Sequence, residues 1–241
     1  MALISVILLE SIHTGVRSGV VRVNSQLLIG TCGWDHGHWC GPFYDPDLPT
    51  DWRLTYYANL LRAVLVPELT GVKVDATLAA SWLEDTDEGF KFVIEISAEL
   101  VDLLPHRPVS LNRWLEGIRL LAGQVAAVLV RPSPASRSPG PAALEQFCNA
   151  LSPVPVCVEP SDHPGGRGVC GVVWYPSKQV APTVGDYLVA LSDVGDPKAL
   201  RQLIEWFIEQ NLVGAALFMT DRTRGFEHAQ QARLIAEMLG V

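Results

Sequence analysis

One α/β barrel of eight parallel strands is the fold class this sequence predicts, and three observations predict it. Eight short apolar runs recur along the 241 residues. Helical patterns separate most of them. The runs are rich in Val, Ile, Leu and Phe and alternate only weakly with polar residues, as strands covered on both faces do. Alternation with helices implies right-handed parallel crossovers. Closing eight such strands into a cylinder removes both sheet edges, so a single TIM-like (β/α)8 barrel is expected. Hydrophobic residues make up 49% of the chain and charged residues 18%, a composition that fills a large core.

The expected strands are residues 27–31, 63–67, 90–96, 125–131, 154–159, 170–175, 186–191 and 214–219. The first helix follows Thr50 and carries Leu54, Tyr57, Ala58 and Leu61 on one face. Asp75 suits the cap of a second, with Leu78, Ala79 and Trp82 inside. Ser110 is read as the cap of a third, with Leu111, Trp114, Leu115 and Ile118 on one side and a stop near Gly123. Gly140-Pro141 opens a fourth, with Leu144, Phe147, Cys148 and Leu151. Asp196 caps a fifth and Pro197 takes its first position, ahead of Leu200, Leu203, Ile204, Phe207 and Ile208. The last runs from about Phe226 and carries Ala232, Ile235, Met238 and Leu239.

Two connections break the rhythm. Residues 161–168 read as loop and 176–183 are too Pro-rich for a good helix, so the barrel is expected to be irregular around strands five and six. The Pro/Ser-rich stretch 132–141 is read as a loop after strand four. Residues 1–25 carry little pattern and are read as a flexible N-terminal arm appended to a barrel spanning 26–241.

The formal net charge is −8 and basic residues stand singly, so no stripe exists to neutralise phosphates, and nucleic acid is not an expected partner. Cys32, Cys40, Cys148, Cys157 and Cys170 are odd in number and widely spaced, which fits a reducing, cytoplasmic setting better than a disulfide framework. No apolar run approaches the length of a membrane span. The apolar stretch Ala2–Leu9 lacks a basic flank and a small-residue cleavage site, so it is not read as a signal peptide. The partners left open are a small-molecule ligand or another protein.

The opening of the barrel carries a resemblance. Ile29-Gly30-Thr31-Cys32-Gly33-Trp34 leads into His38-Trp39-Cys40-Gly41-Pro42-Phe43-Tyr44, then Leu48-Pro49, then the helix with Trp52 and Tyr56-Tyr57-Ala58. Ser81-Trp82, Glu88-Gly89-Phe90-Lys91-Phe92, and Gly225, His228-Ala229 and Ala232-Arg233-Leu234 continue it. These segments resemble the YecE-like family, domain of unknown function seventy-two, over roughly residues 27–240. The resemblance implies an α/β barrel; it implies no settled reaction and leaves the cofactor unknown. The departures fall where the family carries polar residues. Its V-E-x-N-x-T-F-Y stretch becomes Val64-Leu65-Val66-Pro67-Glu68-Leu69-Thr70, and its Lys at the end of strand three falls on Glu95. Its Q-L-P-P becomes Val130-Arg131-Pro132-Ser133, its E-x-R becomes Cys157-Val158-Glu159 or, in a shifted register, keeps only Glu159, its R-L-H-G becomes Val189-Ala190-Leu191-Ser192, and its F-N-N becomes Phe218-Met219-Thr220. Barrel sites are built at the C-terminal ends of strands, so this chain keeps the framework and exchanges the mouth.

Several groups carry candidate chemistry. Glu95, Glu159 and Asp221 stand at or near strand ends and are the candidate catalytic carboxylates, for acid–base work or a divalent metal. Glu95 lies in an apolar run, where burial would raise its pKa; equally, it could pair with Arg131 on the next strand. Cys32, Trp34, His38, Trp39, Arg131 and His163 are the candidate ligand-pocket residues. Trp34, Trp39, Phe43 and Tyr44 could stack on a ligand or plug the mouth. No metal is expected; the alternative is a zinc or iron site on Cys32, His36, His38 and Cys40, although C-x3-H-x-H-x-C is not a usual spacing. Gly165-Gly166-Arg167-Gly168 has no helix pattern after it and reads as surface loop rather than a phosphate cradle. Ser97 and Ser192 have no base partner in the sequence. Two functions follow: a divergent barrel with an eroded family site that acts by binding or as a partner, or an enzyme with a rebuilt acidic site, such as a metal-dependent hydrolase or lyase.

Overall fold

A computed structural model describes residues 27–68, 74–106, 108–132, 139–159, 171–178, 186–210 and 212–241. Eight strands form one closed barrel: β1 (Leu27–Cys32), β2 (Ala63–Val66), β3 (Lys91–Ser97), β4 (Val125–Arg131), β5 (Val156–Val158), β6 (Gly171–Trp174), β7 (Tyr187–Ser192) and β8 (Gly214–Met219). Each pairs in parallel with the next, and β1 closes on β8 with Leu27 opposite Ala215. Every expected strand is present. β5 is shorter than expected because Pro155 has no N–H to give to the ladder; its carbonyl accepts from Val128 N at 2.9 Å.

The helices among the described residues are α1 (Arg53–Leu60), α2 (Ala76–Asp85), α3 (Ala98–Asp102), α4 (Val109–Leu120), α5 (Pro141–Leu151), α6 (Pro197–Glu209) and α7 (Gly225–Leu239). Asp75 caps α2 by accepting from Leu78 N at 3.0 Å, and Asp196 caps α6 by accepting from Ala199 N at 2.9 Å. Ser110 is not a cap. Pro108, with extended backbone, takes that position for α4 and leaves Ser110 inside the first turn; α4 then stops at Leu120, ahead of Gly123. α3 was not foreseen, since five residues are too few to show a period. No helix is described between β5 and β7; residues 161–168, 179–183 and the arm 1–25 lie outside the described residues.

The period-two alternation of each strand divides its side chains between two cores. Val64, Phe92, Ile94, Val128, Leu188 and Leu217 face the helices and pack with Leu54, Trp82, Trp114, Phe147 and Ile204. Leu65, Val93, Leu129, Val173, Val189 and Phe218 fill the barrel itself. One more inward residue along these strands reaches the C-terminal mouth: Glu95 on β3, Arg131 on β4, then Glu159 and Tyr175 just beyond β5 and β6.

Candidate functional site

The mouth is organised by Arg131. Its Nη1 donates to Glu95 Oε2 at 3.1 Å, and its Nε donates to Glu159 Oε1 at 3.3 Å. The Tyr175 hydroxyl donates to the same Glu159 oxygen, and the guanidinium lies 6.0 Å from the centre of the Tyr175 ring. Glu95 is only 8% exposed. Burial raises its pKa above the usual carboxylate value, against the lowering by Arg131. Burial, and then the hydrogen bond to Glu159, keeps the Tyr175 phenol protonated. The Cys32 thiol is pushed up to about 11, first by burial and then by Glu95, so it is a neutral SH and a poor nucleophile.

A cavity of about 280 Å³ opens beside this network, lined by Cys32, Arg131, Tyr175 and Leu191 and, around its rim, by Ser177, Lys178, Asp193 and Thr220. A second cavity, about 430 Å³, lies among β2, β3, α3 and α4, beside Val66, Ile94, Glu95, Leu100 and Trp114.

The expected site residues separate into three groups. Glu95, Glu159, Arg131 and Cys32 come together as described. Asp221 does not join them: its carboxylate accepts from Thr223 N at 2.8 Å and Arg224 N at 3.0 Å and caps the approach to α7. Those amide hydrogen bonds, that of Arg224 first, hold its pKa below the usual range. Trp34, His38 and Trp39 do not line the cavity. Trp34 packs edge-on against Trp82, with ring centres 5.4 Å apart. Trp39 is fully buried between Phe43 and Phe226, and its Nε1 donates to Arg222 O at 2.8 Å. His38 also meets the Arg222 carbonyl. The loop between β1 and α1 is thus an aromatic plug pinned to the start of α7, its rings packed edge to face on one another and on Phe226. His163 and the Gly165–Gly168 stretch lie outside the described residues.

The alternative metal set is not assembled. His36 Nε2 is 2.9 Å from Cys32 O, Cys40 Sγ points to Pro46 O at 3.9 Å, and His38 faces Arg222. Among the described residues no three His, Cys, Asp or Glu side chains are grouped to hold a metal ion. Sequence reasoning missed Tyr175, Ser177, Lys178, Asp193 and Thr220. Their signal was position alone, since each follows the end of a strand.

The model of the family described as proteins of unknown function DUF72 matches residues 28–163, more than half of the chain. No curated protein matches. A DUF72 family protein from Thermotoga maritima superposes with a TM-score of 0.64 at 14% identity, covering 88% of this chain and 100% of its own. A DUF72 family protein from Enterococcus faecalis gives 0.65 at 14% identity, covering 88% of this chain and 96% of its own. These identities carry the fold alone. Among the described residues no helix is long and apolar enough to cross a membrane. With the closed barrel, the opening motifs and the family match in agreement, the chain belongs to the DUF72 family of proteins of unknown function.

Proposed function

We propose that this barrel binds a small polar molecule at its C-terminal mouth, in the cavity bounded by Arg131, Tyr175 and Thr220, and that Glu95 and Glu159 shape the site rather than carry protons. The observation that carries this reading is the shared guanidinium. A general base needs a carboxylate free to reach the substrate. Here Arg131 gives both carboxylates a standing partner, and Tyr175 takes up a further acceptor site on Glu159. A phosphate ester is a poor fit. Phosphates in such barrels commonly sit at the helix N-termini behind the last two strands. In this chain Asp196 already occupies an amide of the α6 N-terminus, and Asp221 places a carboxylate just ahead of α7, where it would oppose a phosphate.

A second reading has one observation in its favour: a buried Glu95 of raised pKa is the kind of group that serves as an acid. One experiment separates the two. The full chain is screened by calorimetry against monosaccharides, hydroxy acids, amino acids and sugar phosphates. Binding by one of the first three classes, weakened about tenfold in Tyr175→Phe or Thr220→Val, is the expected result. The binding reading is overturned if nothing in the panel binds, or if a bound compound is converted and Glu95→Gln stops the conversion.

A further inference from the structure

Resting on the reading that the mouth is a ligand site, we infer that its ligand is a compact zwitterion, an α-amino acid, with Asp193 receiving the ammonium group and Lys178 the carboxylate. Lys178 and Asp193 line the same cavity with opposite charges. They are not paired with each other, and among the described residues neither has an ion-pair partner. The third charged residue lining the cavity, Arg131, is already engaged with Glu95 and Glu159. Of the charges lining the cavity, that leaves one cation, Lys178, whose Nζ lies 5.8 Å from the centre of the Tyr175 ring, and one anion, Asp193, without an ion-pair partner.

Two hydroxyls extend the match. Ser177 precedes Lys178 and can donate to a carboxylate. Thr220 stands beside Asp193, because β7 and β8 run in register to their last residues and Thr220 N donates to Ser192 O at 2.8 Å; its hydroxyl can accept from an ammonium group. A net anion would leave Asp193 opposed, and a net cation would leave Lys178 opposed. A dipolar molecule answers both charges without adding a net one. At about 280 Å³ the cavity is at the small end for ligand sites. Leu191 and the neutral Cys32 thiol give it an apolar part suited to a short side chain.

The test is calorimetry on the full chain with the standard protein amino acids, one at a time, and then with the methyl ester and the N-acetyl derivative of any that bind. The free amino acid is expected to bind at least about tenfold more tightly than either derivative. Lys178→Met should abolish the preference for acid over ester, and Asp193→Asn the preference for free over acetylated amine. Both side chains are exposed, so both variants should keep the parent melting temperature. Equal binding of the derivatives overturns the inference. So does binding of monosaccharides or hydroxy acids with no amino acid bound, an outcome that leaves the mouth-binding reading standing. Failure of the whole panel removes both.

Discussion

Inside the barrel the partner of Glu95 is Arg131, which enters the same layer from the next strand. With Glu95 8% exposed, removing its partner leaves a carboxylate that water reaches poorly. Breaking a buried pair in this way costs about 3–5 kcal/mol, and the partial exposure of Arg131 puts Arg131→Met near the lower end, at about 3 kcal/mol. The cost should depend on pH with a definite sign. The folded-state pKa of Glu95 is raised above its ordinary 4.5. Between those two values the folded chain holds more protons than the unfolded one, so stability falls as pH rises through that window. Arg131 lowers the Glu95 pKa, so its removal moves the upper limit of the window higher. In urea titrations the deficit of Arg131→Met should be larger at about pH 7 than at about pH 4, and adding Glu95→Gln should recover most of it. A deficit that is constant across pH would mean that Arg131 acts by packing alone. The Glu95–Arg131 pair was open to sequence reasoning, because both residues sit on adjacent strands at the mouth end. The roles of Glu159 and Tyr175 were not, since they depend on how far each strand end projects, which no local pattern encodes.

At the level of elements, the seam between β1 and β2 is held by a side chain from α1. The Tyr57 hydroxyl accepts from Thr31 N at 3.0 Å and donates to Ala63 O at 2.9 Å. Gly30 permits the approach: a Cβ there would stand 1.8 Å from the Ala63 carbonyl oxygen. One phenol therefore ties a helix to two strands and satisfies two buried backbone groups. Tyr57→Phe keeps the ring and removes the bridge, so it should cost about 1–3 kcal/mol, the penalty for leaving buried polar groups unpaired. Hydrogen exchange should show the Thr31 amide losing protection while amides of β7 and β8 keep theirs. If Thr31 stays protected, water has replaced the phenol and the seam does not depend on it. Helical periodicity placed Tyr57 on the inner face of α1 but treats tyrosine as apolar, so the bridging role was not visible. Caps show the same division. Asp75 and Asp196 were legible because their partners lie three residues on. Ser110 misled because the start of α4 was decided by Pro108, two residues earlier.

The fold as a whole was readable because it rests on two periods, 2.0 within the strands and 3.6 within the helices, and those are properties of the sequence alone. The aromatic loop was harder, because Trp39 and Tyr44 have the same composition whether they grip a ligand or bury one another. The opposite end of the barrel bears on the remaining proposal, that residues 1–25 are an appended arm. There the Tyr187 ring fills the entrance, pressed against Gly214 so closely that a Cβ would stand 2.1 Å from it. Leu27, the first residue of β1, is already buried and paired with Ala215 of β8. Among the described residues each barrel strand is therefore paired on both sides from Leu27 onward, so the sheet closes without a contribution from residues 1–25. A chain beginning at Gln26 should melt within about 2 °C of the full chain, a shift of no more than about 1 kcal/mol for a domain of this size. It should also bind the same ligands at the mouth. Differential scanning calorimetry decides the matter. A fall of several degrees would mean that residues 1–25 bury apolar surface on the barrel, and the division at residue 26 would have to be withdrawn.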